Sequence, residues 1–294
     1  MNTLRIAGLT FRETLRRRAL YGAVALTVAV LLLYAWGTGV AVQEMANELY
    51  DSGDGVIGAA AAAGLDLRLV FIGELLLAGL YAVSNIASLL AIFLAAGVIS
   101  QEVEQGTLHS IVPKPLARWQ VVFGKWLGGA AMLAVYVVVT ATVAAAIIYW
   151  RAGYLPATLP LGMLLMITQA VLLYSLTLVG STLWPMITTG IVMLIIYVVI
   201  NVTAMVEQIG TLVGSETMVR TGVIASLLVP SAALWRMAAA LVQAPNPLPS
   251  IGINLPLGPF GVINPPSIWM AVYGVAYTLL ALSLATAIFS RRDL

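Results

Sequence analysis

Five predominantly apolar stretches, at 19–42, 69–99, 127–150, 159–184 and 267–290, each run for 24 residues or more. A helix that crosses a bilayer needs about 20 such residues, so each is long enough to span. A sixth stretch, 185–206, follows the fourth at the Trp184-Pro185 junction. Proline cannot donate a backbone hydrogen bond and tryptophan favours the membrane interface, so a tight turn is expected there. Composition excludes the soluble alternative. Apolar residues make up 61% of the chain and charged residues 9%, against roughly 45–50% and about 25% in soluble domains. The fold class expected is an all-α polytopic membrane protein.

The same counts remove several chemistries. With no cysteine, disulfides, thiolate metal sites and cysteine nucleophiles are absent. The single histidine, His109, rules out an HExxH zinc site. The one Gly-Lys pair, Gly124-Lys125, is followed by Trp126 and has Trp119 where a P-loop needs its first glycine. The chain therefore carries no ATP-binding P-loop, and no metal or cofactor of its own is expected. A net charge of +2 gives no argument for nucleic acid.

Charge distribution sets the expected topology. With six spans and the N-terminus inside, Arg5, Arg12, Arg16, Arg17, Arg18, Lys114, Arg118, Lys125, Arg291 and Arg292 lie on the cytosolic side. Only Arg68, Arg151, Arg220 and Arg236 lie outside, a clear positive-inside bias. A seventh apolar stretch, 222–243, is interrupted by Pro230 and carries Arg236. Counting it as a span would send Arg291 and Arg292 outside, so it is read as an outer re-entrant or interfacial helical pair between spans five and six. The acidic residues Glu44, Glu48, Asp51, Asp54, Asp66, Glu207 and Glu216 then also fall outside, and six of the tryptophans sit near span ends. Both termini are expected to be cytosolic and the chain to reside in the plasma membrane.

The first apolar stretch exceeds the 7–15 residues of a signal-peptide core, so it is expected to remain as span one. Ahead of it, residues 2–18 place Leu4, Phe11 and Leu15 at near-heptad spacing with Arg5, Arg12 and Arg16 beside them. An amphipathic helix in the inner membrane interface is expected.

The loop after span two is the most informative segment. Glu102 and Glu104 end the span and Gly106 permits a sharp turn. Residues 107–112 then form a short helix with Leu108, Ile111 and Val112 on one face, His109 at its surface and Pro113 ending it. Pro115 suits the first turn of a new helix that passes through Arg118 and Lys125 into span three. An apolar face on a cytosolic loop suits either a partner protein or the inner leaflet.

The order Glu102-x-Glu104-x-Gly106-Thr107-Leu108, then Pro115-Leu116-Ala117-Arg118, then Gly124-Lys125, resembles the cytosolic loop of ABC transporter permeases of the type-2 exporter class. The ending Phe289-Ser290-Arg291-Arg292-Asp293-Leu294 is similar to the same family's finish. The resemblance implies a permease subunit occupying 1–294 as one transmembrane domain. It would comprise an interfacial helix at 2–18, a cytosolic coupling loop at 100–118 and an outer loop at 207–266. It further implies that Glu102, Glu104, Gly106, Thr107, Leu108, Ile111, Pro115, Arg118 and Lys125 serve docking to a separate ATPase. Two ATPase copies, holding ATP and magnesium, would sit beneath a permease homodimer, with spans two and five lining a central path.

Polar residues inside the spans carry two readings each. Glu74 is the one carboxylate within a predicted span, where ionisable groups mark function by default. It also lies near the outer end of a long helix, where water reaches. Asn85 and Ser88 in span two, with Thr188, Thr189 and Asn201 in span five, either line the path or bond neighbouring helices, as does Gln169 in span four. Met163, Met166, Met186 and Met193 are expected to pack, and Gly124 and Gly128 allow close helix approach. The competing reading is a secondary transporter or channel driven by an ion gradient. That class favours several intramembrane ionisable groups or paired broken helices.

Overall fold

Two prolines and a glycine punctuate the second half of the chain. The residue before a proline is pushed out of the helical region. Trp184 accordingly adopts an extended backbone (φ −123°, ψ 160°) before Pro185, and so does Val229 (φ −141°, ψ 106°) before Pro230. The first junction separates two spanning helices. The second bends a helical pair by 106°. Gly214 closes the helix between them in the left-handed conformation (φ 73°) that glycine adopts without steric cost.

In the computed structural model the described residues are 2–16, 18–51, 67–100, 118–243, 260–262 and 265–291. Among them are α1 (Asn2–Leu15), α2 (Arg18–Asp51), α3 (Leu67–Ala96), α4 (Arg118–Ala152) and α5 (Leu159–Leu183). These are followed by α6 (Met186–Val213), α7 (Glu216–Leu228), α8 (Ser231–Val242) and α9 (Trp269–Arg291). No strand occurs among the described residues. Six helices, α2 to α6 and α9, are long and apolar enough to cross a membrane, with α7 and α8 forming the bent pair between the fifth and sixth. The expected architecture is observed.

The bundle is sorted by burial. About two thirds of the span in α3 (67%) and in α5 (61%) is buried against other helices, while α2 (17%) and α6 (22%) stay largely open. The fully buried large side chains Leu76, Leu77, Leu80, Leu90 and Ile92 of α3 meet Met166, Leu173, Tyr174 and Leu178 of α5 and Leu133 and Ile148 of α4, while Leu172 of α5 packs with Ile200 of α6 and Leu234 of α8. The outer helices present Leu32, Leu33 and Trp36, and Ile187, Ile191 and Ile195, to the surroundings. Lipid tails are as apolar as these side chains, so their exposure costs nothing in a bilayer.

Small residues let the backbones close in. A Cβ on Gly128 of α4 would stand 2.7 Å from the Ala7 carbonyl oxygen and 2.8 Å from Thr10 of α1, and one on Gly124 would stand 2.8 Å from Ile6. This sets which face of α1 turns toward the bundle. The face packed on α4 is Thr3, Ile6, Ala7, Thr10 and Thr14, with Phe11 at its edge against the core. Leu4 and Leu15, at near-heptad spacing with Phe11, are exposed on the side turned away from α4, where an interfacial helix meets lipid. A bare glycine pair offers a shallow surface that alanine and threonine fit and leucine does not.

Two helices run seven or more residues past the C-terminal ends of their apolar stretches. The first spanning helix continues to Asp51, and the fifth to Val213. Glu207 therefore sits on a helix rather than in the loop expected from 207 onward.

Candidate functional site

Helix α3 loosens into a turn at residues 97–99, immediately before the segment 101–117. A helix end leaves backbone groups without intrahelical partners, and inside a membrane protein they must find others. Here two neighbouring helices supply them. Lys125 Nζ of α4 donates to the Val98 carbonyl at 3.0 Å. Ser181 Oγ of α5 accepts the N–H of Ile99 at 3.1 Å and of Ser100 at 3.2 Å. Ser100 Oγ turns back to the Ala96 carbonyl at 2.9 Å. The lysine is 9% exposed, and its positive charge faces carbonyls at a helix C-terminus, where the helix dipole favours a cation.

The start of α4 is held as firmly. Trp126 Nε1 donates to Ser175 Oγ of α5 at 2.7 Å, and Tyr174 lies across Gly129 with its hydroxyl 3.5 Å from the Lys125 carbonyl. On the other side of α4, α1 covers Gly124 and Gly128. The two ends of the 101–117 connection thus enter one knot built from α1, α3, α4 and α5. Glu102, Glu104, Gly106, Thr107, Leu108, Ile111 and Pro115 lie outside the described residues. Arg118 opens α4, which runs unbroken through Lys125 to Ala152, as expected.

Halfway along α3, a polar seam ties three spans. Ser84 Oγ donates to Gln169 Oε1 of α5 at 2.9 Å, and Gln169 Nε2 donates to Ser88 Oγ at 3.3 Å. Tyr197 of α6 donates its hydroxyl to Asn85 Oδ1 at 2.7 Å. Asn85 and Asn201 each give their amide to the carbonyl four residues earlier, Tyr81 and Tyr197. Ser88 and Thr189 are fully buried, Asn85 and Asn201 half-buried, and Thr188 exposed. Thr189 bonds the Trp184 carbonyl at 3.3 Å and packs against Gly180 at the α5–α6 turn. The seam brings Asn85, Ser88 and Asn201 together with Gln169, but leaves Thr188 and Thr189 near the turn.

At the far end from α1, Glu74 accepts the Phe260 N–H at 3.3 Å. The Phe260 ring meets Tyr81 with centroids 5.6 Å apart, and Tyr81 meets Trp235 of α8 at 5.3 Å. Next to this cluster α8 is locked to α6 by an ion pair. Arg236 Nη1 stands 2.6 Å from Glu207 Oε1, with side-chain exposures of 5% and 12%. Gly222 of α7 presses on the Glu207 side chain. The sequence reading assigned both charges to the outer side without pairing them; in the structure they are buried against each other.

Sequence reasoning missed Ser84, Ser175, Ser181, Tyr174 and Tyr197, whose hydroxyls look like any others in apolar helices. The ion pair had a usable signal. Arg236 is the one charge in an apolar stretch, and an intramembrane charge demands a partner.

Comparison with known proteins agrees with this architecture. The family model described as ABC-2 family transporter protein matches residues 4–294. Among curated proteins there is no significant match. Members of that family are membrane transport components, not themselves catalytic, and in general they work with an ABC ATPase. Because the match runs through every spanning helix and the bent pair between the fifth and sixth, this chain belongs to the ABC-2 transporter family, as a multi-pass permease.

Proposed function

We propose that the chain is the permease subunit of an ATP-driven exporter, and that a separate ATPase drives it through the segment 101–117. The observation that carries this reading is the double hold on that segment. Val98 at its entry is bonded to Lys125 near its exit, and Ser181 of α5 holds Ile99 and Ser100. A push on the segment therefore acts on α3, α4 and α5 together rather than bending one linker. Through Asn85 and Tyr197 the motion of α3 reaches α6.

In this reading Glu102, Glu104, Gly106, Thr107, Leu108, Ile111, Pro115 and Arg118 dock on the ATPase, and Lys125 transmits. ATP and magnesium belong to the ATPase. Two permease copies pair as a homodimer over two ATPases, in the plasma membrane, with both termini cytosolic. Along the α3–α6 line Glu74, Asn85, Thr188 and Asn201 keep some exposure and meet cargo. Ser88 and Thr189, fully buried, position their neighbours.

The test is reconstitution of the permease with its ATPase. Leu108→Asp, or charge reversal at Glu102 and Glu104, should abolish stimulation of ATP hydrolysis by the permease. Lys125→Met should preserve assembly with the ATPase but reduce transport per ATP. Transport by the purified chain alone under an ion gradient would overturn the proposal in favour of a secondary transporter.

A further inference from the structure

Helix α1 has two faces with different chemistry. One is spent on α4: Ala7, Thr10 and Thr14 are buried, and Gly124 and Gly128 admit them. On the opposite side Arg5, Arg12 and Arg16 are exposed. At 100° per residue they fall within about 40° of one another, a single stripe. Leu4 and Leu15 flank it on one side and Leu9 on the other, and all three are exposed, Leu4 at 71% and Leu9 at 67%. Arg5 and Arg12 lie in the helix and Arg16 in the turn that follows it, and among residues 2–16 only Glu13 is acidic.

We propose that this face is a docking surface for anionic phospholipid head groups, whose binding holds α1 against the start of α4. Three observations select that occupant. The flanking leucines suit the boundary between head groups and acyl chains, where an amphipathic helix inserts its apolar residues. The guanidinium fork matches a phosphate with two parallel hydrogen bonds, and the stripe presents three of them. The helix also packs on the lower end of α4, whose 35 residues extend to about 52 Å and so outrun the apolar layer. Lipid bound to α1 therefore bears on the segment of α4 that carries Lys125. The inference does not depend on the ATPase.

The test uses the full-length chain in lipid nanodiscs of phosphatidylcholine alone, or with about 30 mol % phosphatidylglycerol, the anionic lipid supplying surface charge for the arginines. Amide hydrogen exchange is followed over 2–16 and 118–130. The expected result is exchange at least about tenfold slower in both segments when phosphatidylglycerol is present, since three basic residues at about fivefold in affinity each combine to about a hundredfold at most. Arg5→Gln/Arg12→Gln/Arg16→Gln should lose that difference, and the corresponding triple Lys variant should largely keep it. Equal exchange in the two lipids, or an undiminished difference in the Gln variant, overturns the proposal. Protection that arises only on adding an acidic partner protein, or only at concentrations where a second copy binds, also overturns it. Should the Gln variant not fold, wild type decides. Raising salt to about 0.5 M must shrink the phosphatidylglycerol effect, because screening shortens to a few ångströms, and persistence of the effect refutes the charge-based account.

Discussion

Removing Arg236 should be among the most damaging single changes outside the knot of α1, α3, α4 and α5. Its guanidinium lies 2.6 Å from Glu207, and the two side chains are 5% and 12% exposed, so solvent screening subtracts little. Unit charges about 4 Å apart attract by about 4 kcal/mol at an effective dielectric constant near 20. Arg236→Met deletes that attraction and leaves the Glu207 carboxylate buried beside Gly222 without a cation. Breaking a buried pair in this way costs about 3–5 kcal/mol. The pair is not ideal even intact, since Glu207 Oε2, Arg236 Nε and the neighbouring Ser231 Oγ make no hydrogen bond among the described residues. Replacing both partners should therefore be far milder than replacing one. Glu207→Leu/Arg236→Met should lie within about 1–2 kcal/mol of wild type, because apolar replacements of buried pairs are often neutral. Reversible unfolding in mixed micelles, read as a double-mutant cycle over wild type, both single variants and the double, measures the coupling directly. A cost below about 1 kcal/mol for Arg236→Met, or a double variant as unstable as the sum of the singles, would refute the reasoning.

Four further outcomes follow from the same geometry. Gly128→Val forces a side chain into the Ala7 carbonyl and Thr10, and overpacking of that kind costs about 1–3 kcal/mol; an Ile6→Cys/Gly124→Cys crosslink should fall when it is introduced. Tyr197→Phe removes the bond to Asn85 and should lower stability by about 1 kcal/mol, measured by thermal unfolding in detergent, with a larger loss of transport than of ATP hydrolysis. Glu74→Gln retains an acceptor for the Phe260 N–H and should leave protease resistance at 260–262 near wild type, whereas Glu74→Ala should make that segment cleavable. Ser181→Ala strips the acceptor shared by Ile99 and Ser100 and should destabilise by about 1–3 kcal/mol through the unmet N–H groups, while Ser181→Thr largely restores the melting temperature.

Span number and order were legible from residues alone because a membrane leaves little choice. Every backbone group in the hydrocarbon must bond within its own segment, so a long apolar run reads as a helix wherever it occurs. Pro185 and Pro230 marked their turns for an equally local reason, the exclusion of Trp184 and Val229 from helical backbone angles. The loop motif that pointed to the permease family was likewise local, written in the order of residues 102–125. What residue order left open is which side of each helix faces inward. The centrally packed spans α3 and α5 carry almost no one-sided apolar stripe, so residue order does not show that they are the buried ones. Packing of small residues and a few polar contacts makes that choice. Lys125 finding Val98, Tyr197 finding Asn85 and Glu207 finding Arg236 are all partnerships between helices distant along the chain, created only when the bundle closes.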